Sequence, residues 1–564
     1  MGRFTNKFTE EQEKAILSLY VTHIGEDIFF VKDTLPPEQW ATLGAAYSRT
    51  HEPFQERLLK AIEQEDIDVS VIDGLLKNKQ TLSNKKLAEN AANFIKKWAQ
   101  EYGHNSIKEL GMVRFCAENI PDLTVTRIAM NPLTHMQVKS SRYMDWKNIL
   151  SKIESNLDIK SSKYGEEIFN SIKGISEGYN EVTELSANHI LNSRLNENFA
   201  SSTFPIKLPF SIGWSAMHLY QFSGETEKML KKFQNFSRTT VFDSTRYLLT
   251  PAMPTSMAVS IDTRALEDVI TDLLSSPMLE DQRVGEELLA KGKHVEPILL
   301  GEKCHAKKSN YVVETRKELE GLAKNIFSPE GKNNYRVCCI PKNVNMFSDL
   351  QIASSIIFNH SNHSFIHIYN ELRKNPKQAD EIIKTVFKHR EKHDPVKKEM
   401  NHGGLMMELL MDYGGYRDVH RHRRGTKSLQ KLTMEHGFET PELIEVAFLK
   451  EKYDKLMRSP KETFEMVKKD NPYLAQLVVP FGYKSRSLLS WGIAQWIYFV
   501  ELRSKETGNM SYREIAWDVE KILKKKVPKI AGNINVDKTK YPADLINMPD
   551  ARKWYNKEIR KKDS

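Results

Sequence analysis

Apolar residues recur at three- and four-residue steps over residues 8–20, 37–47, 54–64, 85–101, 380–392 and 441–457, the spacing that lines one face of a helix. Short apolar runs at 27–31, 113–117, 337–340 and 405–410 suit strands instead. Both kinds of element in one chain predict an α+β fold, helices packed on a mainly antiparallel sheet. No G-x-G-x-x-G and no P-loop occurs, which argues against the doubly wound nucleotide folds. The most apolar stretch, 488–500, is too short for a membrane span and ends in Glu501 and Arg503, so it reads as a buried helix.

The patterns come in pairs. LPPEQWATLGAAYSRTHEPFQERLL, from Leu35, has a faint counterpart in FSDLQIASSIIFNHSNHSFIHIYNEL, from Phe347. GMVRFCAENIPDLTVTRIAMNP, from Gly111, lies without gaps on HGGLMMELLMDYGGYRDVHRHR, from His402. The two separations are nearly equal, which points to a diverged tandem duplication joined in the Lys-rich stretch 301–335. The expected domains are a first repeat over 1–310 and a second over 311–564.

At 564 residues the chain has room for two sizeable cores. Its net charge of +9 favours anionic ligands only weakly, because charges of both signs are scattered along it. Cys116, Cys304, Cys338 and Cys339 form no C-x-x-C and no disulfide framework, which fits a reducing cytoplasm. The N-terminal MGRFTNKFTEEQEK lacks the apolar core of a signal peptide. His360, His363 and His367 fall at steps compatible with one helix face, but no Cys or carboxylate ligand lies near and the repeat partner is not metal-like, so no metal is expected. The run Lys524–Lys526 is interleaved with Asp518 and Glu520 and reads as a solvated face.

The densest chemistry is Tyr416-Arg417-Asp418-Val419-His420-Arg421-His422-Arg423-Arg424. Guanidinium groups this close repel one another unless an anion sits between them, and Arg grips phosphate bidentately. A nucleic-acid patch and a solvated basic face are the competing uses of such a run. A second segment is His104-x-Ser106-x-x-Glu109, followed after an apolar strand by Ser140-x-Arg142-Tyr143.

Together these segments resemble the flavin-dependent thymidylate synthases, which carry H-x-S-x-x-E, then a strand, then R-H-R-x-x-S-x-N-E-x-S-x-R-Y. Here the pattern is divided. The first half keeps Ser140, Arg142 and Tyr143 but has Met130, Asn131 and Pro132 in place of R-H-R. The second half keeps Arg421-His422-Arg423 but has Lys431, Thr433 and Met434 at the other end. The family's A-R-x-x-L-P resembles 245–251, with an extra residue before Pro251, and its second-half counterpart at 475–480 has lost the Arg. An N-x-R element resembles Asp262-Thr263-Arg264, and an L-R element survives as Leu502-Arg503, where the first half has Leu273-Leu274.

In that family the sites lie between subunits of a homotetramer. The resemblance therefore implies a composite site between the two repeats and a homodimer imitating the tetramer. It implies Ser140, Arg142, Arg246, Arg421 and Arg503 around a pyrimidine nucleotide such as dUMP. It implies His104, Ser106, Glu109, Arg264, His422 and Arg423 around FAD, with methylenetetrahydrofolate and NADPH as co-substrates. No protein nucleophile is implied, because the flavin supplies the hydride and the folate the carbon. Two features depart from the pattern. Gln137-Val138 replaces the family's N-E, and Asp418 stands at the family's Gln, a carboxylate that repels a nucleotide unless Arg417 or Arg421 pairs with it. An altered protein that only binds nucleotide or nucleic acid on the same duplicated fold is the alternative.

Overall fold

The computed structural model describes residues 5–64, 109–197, 240–317, 336–340, 348–358, 365–388 and 404–540, apart from some positions within those ranges. Packing divides the chain into two compact units, one of Met1–Asn170 with Pro251–Gly331, the other of Ser171–Thr250 with Lys332–Ser564. Units and repeats are thus different divisions of the chain.

In the first unit, β1 (Ile28–Val31), β2 (Met112–Pro121), β3 (His135–Val138) and β4 (Pro254–Asp262) form an antiparallel sheet in the order β1-β2-β4-β3. One face carries Phe29, Val31, Cys116 and Ala258 against the helices α1 (Glu10–Tyr20) and α2 (Phe54–Glu63). The other carries Phe115, Met257, Val259 and Ile261 against α3 (Asp122–Met130), α4 (Thr263–Leu274) and α5 (Leu279–Gly292). Successive strand side chains point to opposite faces, so both faces are apolar and the sheet is covered twice.

In the second unit, β5 (Val337–Ile340), β6 (Gly404–Asp412), β7 (Thr426–Leu429) and β8 (Lys484–Gly492) repeat the order as β5-β6-β8-β7, again all antiparallel. The helices α6 (Asp349–Phe358), α7 (Phe365–Lys374) and α8 (Pro376–Lys388) pack on one another, while α9 (Tyr413–Val419), α10 (Ile493–Arg503) and α11 (Met510–Lys526) lie on the sheet. Two four-stranded sheets of one topology are the structural form of the duplication.

The register locates where the copies diverged. β4 and β8 are both nine residues long, with Ser260 paired to His135 and Ser490 paired to Thr426, so position follows position without a gap. β2 is one residue longer than β6, because its pairing with β4 shifts between Ala117 and Ile120, where Asn119 takes φ 52°. This β-bulge makes the gapless sequence match correct after Asn119 and one residue out before it.

Four local expectations are corrected. The helical pattern over 441–457 is broken into Glu442–Val446 and Lys450–Arg458 by Phe448, which has φ 57° and is 91% exposed. The run 488–500 is the end of β8 followed by α10, because its alternating half belongs to the sheet and only the rest has a helical face to bury. The Pro251 segment has no inserted residue: the 3₁₀ turns Arg246–Leu248 and Leu474–Val478 stand in the same relation to β4 and β8, which places Arg246 opposite Gln476 and Thr250 opposite Pro480. The pattern over 380–392 starts earlier, at Pro376. The helix expected at 85–101 lies outside the described residues, as do His360 and His363. Among the described residues no helix is long and apolar enough to cross a membrane.

Candidate functional site

α9 begins at Asp412, whose carboxylate caps it by accepting from Gly415 N at 2.5 Å and also accepts from the Ser511 hydroxyl. The helix ends at His420, and residues 421–425 turn the chain into β7. Gly425 closes the turn at φ 104°. A Cβ there would stand 2.4 Å from Trp491 Cδ1 and 2.6 Å from Ser490 O, so only glycine passes. The turn holds Arg421 in solvent and His422 in the interior.

Both ring nitrogens of His422 are used. Arg503 Nε donates to Nε2 at 2.9 Å, and the Gln495 carboxamide lies 3.0 Å from Nδ1. A guanidinium only donates, so Nε2 carries the lone pair and Nδ1 the proton; Gln495 Nε2 is the atom placed at Nδ1, and a flip of the carboxamide brings its oxygen there to accept that proton. Burial first, then Arg503 and Lys427, drives the His422 pKa well below the usual histidine range. The ring is neutral and packs against Trp491, Tyr498 and Phe499. Its partner Arg503 also lies over the Tyr512 ring at 5.5 Å.

Arg246 reaches this cluster from the other repeat. Leu249 O accepts from Phe481 N at 2.7 Å and Tyr247 O from Gly482 N at 2.9 Å, which ties the 3₁₀ turn to the loop before β8. Arg246 is 1% exposed, with Nη1 3.3 Å from Asp418 Oδ2 and Nε 3.7 Å from Asp243 Oδ1. Asp412 also feels its charge: burial pushes that carboxyl up to about 6, while Ser511 and Arg246 pull it back. Asp418 acts on a second cation as well. Crowding by protein atoms lowers the Arg421 pKa, Asp418 opposes that, and Arg417 and Arg503 add to it. The carboxylate expected to need Arg417 or Arg421 is therefore hydrogen-bonded to Arg246.

A cavity of about 590 Å³ has Asp243, Tyr247, Glu439, Asn509, Ser511 and Glu514 among its walls. Tyr247 donates to Asn509 Oδ1 at 3.2 Å, and Asn509 Nδ2 donates to Asp243 O at 3.4 Å.

The structure thus brings Arg246, Arg421, His422 and Arg503 together within one unit. Arg423 shares the turn, half-buried, its pKa lowered by burial and by Arg424. Ser140 and Arg142 lie together in the first unit, where Ser140 Oγ accepts from Arg142 N at 3.2 Å and the Arg142 residue is buried. Glu109 and Arg264, also in that unit, form an exposed ion pair. His104 and Ser106 lie outside the described residues. Sequence reasoning missed Asp243, Gln495 and Lys427. Of these, only Lys427 carried a signal, as a charge at an inward position of a strand.

The sequence pattern of the family described as thymidylate synthase complementing protein matches residues 54–298 and again 348–529. A UPF0159 protein of Chlamydia pneumoniae is 24% identical over 524 residues, covering 90% of each chain. One of Thermoplasma acidophilum is 22% identical over 481 residues, 82% of this chain and 92% of the relative. One of Chlamydia muridarum is 24% identical over 543 residues, 91% of this chain and 92% of the relative.

Proposed function

The chain belongs to the thymidylate synthase complementing protein family, and from that premise we propose that it is an FAD-dependent enzyme that reductively methylates a uracil nucleotide or a related pyrimidine. The observation that supports this reading most is that Arg246, from the first repeat, is hydrogen-bonded to Asp418, from the second, which also acts on the charge of Arg421. A cluster of guanidinium groups held in place before ligand arrives stabilises anionic groups without reorganisation. Within this reading, Arg246, Arg421 and Arg503 bind the pyrimidine ligand, and the roles of Ser140 and Arg142 rest on the family resemblance.

Arg423 and Arg424 suit the anionic part of a flavin nucleotide, since both are donors on one turn that is largely open to solvent. Bound FAD would supply hydride transfer, and methylenetetrahydrofolate the carbon. His422 faces inward, so its part is to hold Arg503 through Nε2 rather than to touch the flavin. Arg264 is paired with Glu109, which orients its guanidinium at the surface.

Titration of the purified protein with FAD, with and without dUMP, tests the proposal. A shifted flavin absorption spectrum that changes again on adding dUMP is expected. Protein that stays colourless and ignores both compounds overturns it. Arg421→Ala removes a charge-assisted contact of roughly 1.5–3 kcal/mol and weakens pyrimidine binding about ten- to a hundredfold. In the same reading the two-repeat chain assembles as a homodimer, and light scattering at the monomer mass rules that out.

A further inference from the structure

We infer that Lys139 is a positioning residue: with Glu118 it fixes the point where the chain leaves β3 and so presets the turn that carries Ser140 and Arg142. This rests on the pyrimidine-binding reading above, in which those two residues belong to the ligand site, and it adds a residue at a position the family motif leaves open. Lys139 is 7% exposed and Glu118 5%, on the side of the first sheet that faces α2. The Lys139 main-chain N–H donates to Ser256 O at 3.0 Å. Its ammonium donates to His51 O at 3.1 Å and lies 5.0 Å from the centre of the Tyr47 ring. Glu118 Oε1 accepts from Tyr47 OH at 2.9 Å and from Phe54 N, at the start of α2, at 2.7 Å. Burial pulls the Lys139 pKa below the usual lysine range, and among the charges Glu118 works hardest against that. Main chain and side chain are thus anchored together, and moving either one unpairs a buried charge. The next residue, Ser140, accepts from Arg142 N through its hydroxyl at 3.2 Å, so a turn closed by a side chain starts directly at the anchor.

The second sheet supplies the contrast. Lys139 corresponds there to Gln430, whose N–H donates to Arg486 O just as that of Lys139 donates to Ser256 O. The bulge residues Glu118 and Asn119 correspond to the single residue Leu410. The copy with Lys431 and Thr433 in place of Ser140 and Arg142 therefore lacks the buried charges as well. Opposite charges buried together are a poor source of stability, since an apolar pair of similar volume does at least as well. Their presence only in the copy that keeps Ser140 and Arg142, at a β-bulge of the kind found beside functional sites, points to aiming a turn rather than to cohesion.

Hydrogen exchange and calorimetric titration with dUMP test this on the full-length wild-type protein, Lys139→Met, Arg142→Ala and the double variant. Lys139→Met keeps the length of the side chain and removes its charge. It is expected to speed amide exchange at residues 140–142 tenfold or more while the amides of β4 keep their protection, and to weaken dUMP binding about tenfold. In the Arg142→Ala background the same change is expected to weaken dUMP binding less than threefold, because the turn it aims no longer carries that contact. Exchange that rises less than threefold, exchange that rises equally in β4, or a dUMP loss of the same size in both backgrounds overturns the inference. Should Lys139→Met fail to fold, Glu118→Gln carries the same test, since it removes the opposing charge and keeps an acceptor for Tyr47 and Phe54. Should the wild-type protein ignore dUMP, the pyrimidine reading fails, and exchange at residues 140–142 alone decides the role of Lys139.

Discussion

The two sheets share strand order and pairing, yet they bury different chemistry. In the first, the inward positions Met136, Met257, Val259, Ile261, Ala265 and Leu273 form one apolar cluster, and Ala129 is buried as well. In the second, the corresponding positions are His420, Lys427, Ser487, Leu489, Trp491, Gln495 and Arg503. Part of this polar interior is satisfied: Lys427 Nζ donates to His420 O at 2.5 Å, and Gln495 and Arg503 both meet His422. Part is not. The ring nitrogens of His420 and the hydroxyls of Ser485 and Ser487 are buried with no hydrogen-bond partner. Each such group costs free energy that an apolar residue of similar size avoids. One copy is built for cohesion, and the other accepts cost in order to hold polar groups behind the arginine cluster, which is the usual relation between a scaffold and a site.

Exchanging residues between the copies breaks that contrast. The largest effect is expected from Arg246→Gln, which installs the residue found at Gln476. It removes the buried cation that Asp418 and Asp243 share and destabilises the fold by about 3–5 kcal/mol, read from denaturant unfolding. Asp418→Asn made together with it should recover part of the loss.

Lys427→Met, which installs the counterpart Met136, works in the opposite direction. Burial, then Arg423, lowers the Lys427 pKa from 10.5 to about 8. The unfolded chain therefore holds this proton more tightly than the folded one between about pH 8 and 10.5, and the stability of the wild-type protein rises with pH across that window. Below it the folded protein bears the full cost of the buried ammonium. The variant is expected to be more stable by roughly 2–4 kcal/mol at pH 7, with the gain shrinking as pH climbs toward 10. Thermal melts of both proteins at pH 7 and pH 9.5 check this, and an unchanged difference would remove Lys427 as the cause.

The smallest effect on stability is expected from His422→Asn, the residue at the corresponding Asn131. It loses ring packing against Trp491 and Phe499 and releases Arg503, a cost of about 1–2 kcal/mol. Pyrimidine affinity should fall by more than that stability change accounts for, because Arg503 loses the acceptor that aims it. Equal losses in both would reduce His422 to a packing residue.

Much of the fold was legible because periodicity reports burial directly. The runs at 27–31, 113–117, 337–340 and 405–410 are strands, and 8–20 and 54–64 contain helices. Where the reading failed, a local event outweighed periodicity: a positive φ at Phe448 splits one helix, and the alternation of Leu488 to Trp491 belongs to a sheet although the composition is that of a buried helix. The site was legible as a set of residue types. Arg246, Arg421, His422 and Arg503 were named from sequence motifs, but no spacing shows that His422 turns inward or that Asp418 bonds to Arg246.

The sequence by itself determined that the chain is a duplicated α+β protein of a nucleotide-chemistry family, because alternation, helical period and motif order all survive divergence. Only the tertiary structure decided which residues share a neighbourhood, since the segment Ser171–Thr250 packs with the second repeat rather than with its own. That choice depends on backbone hydrogen bonds such as those of Phe481 and Gly482 with Leu249 and Tyr247, whose partners lie hundreds of residues apart and leave no mark on local pattern.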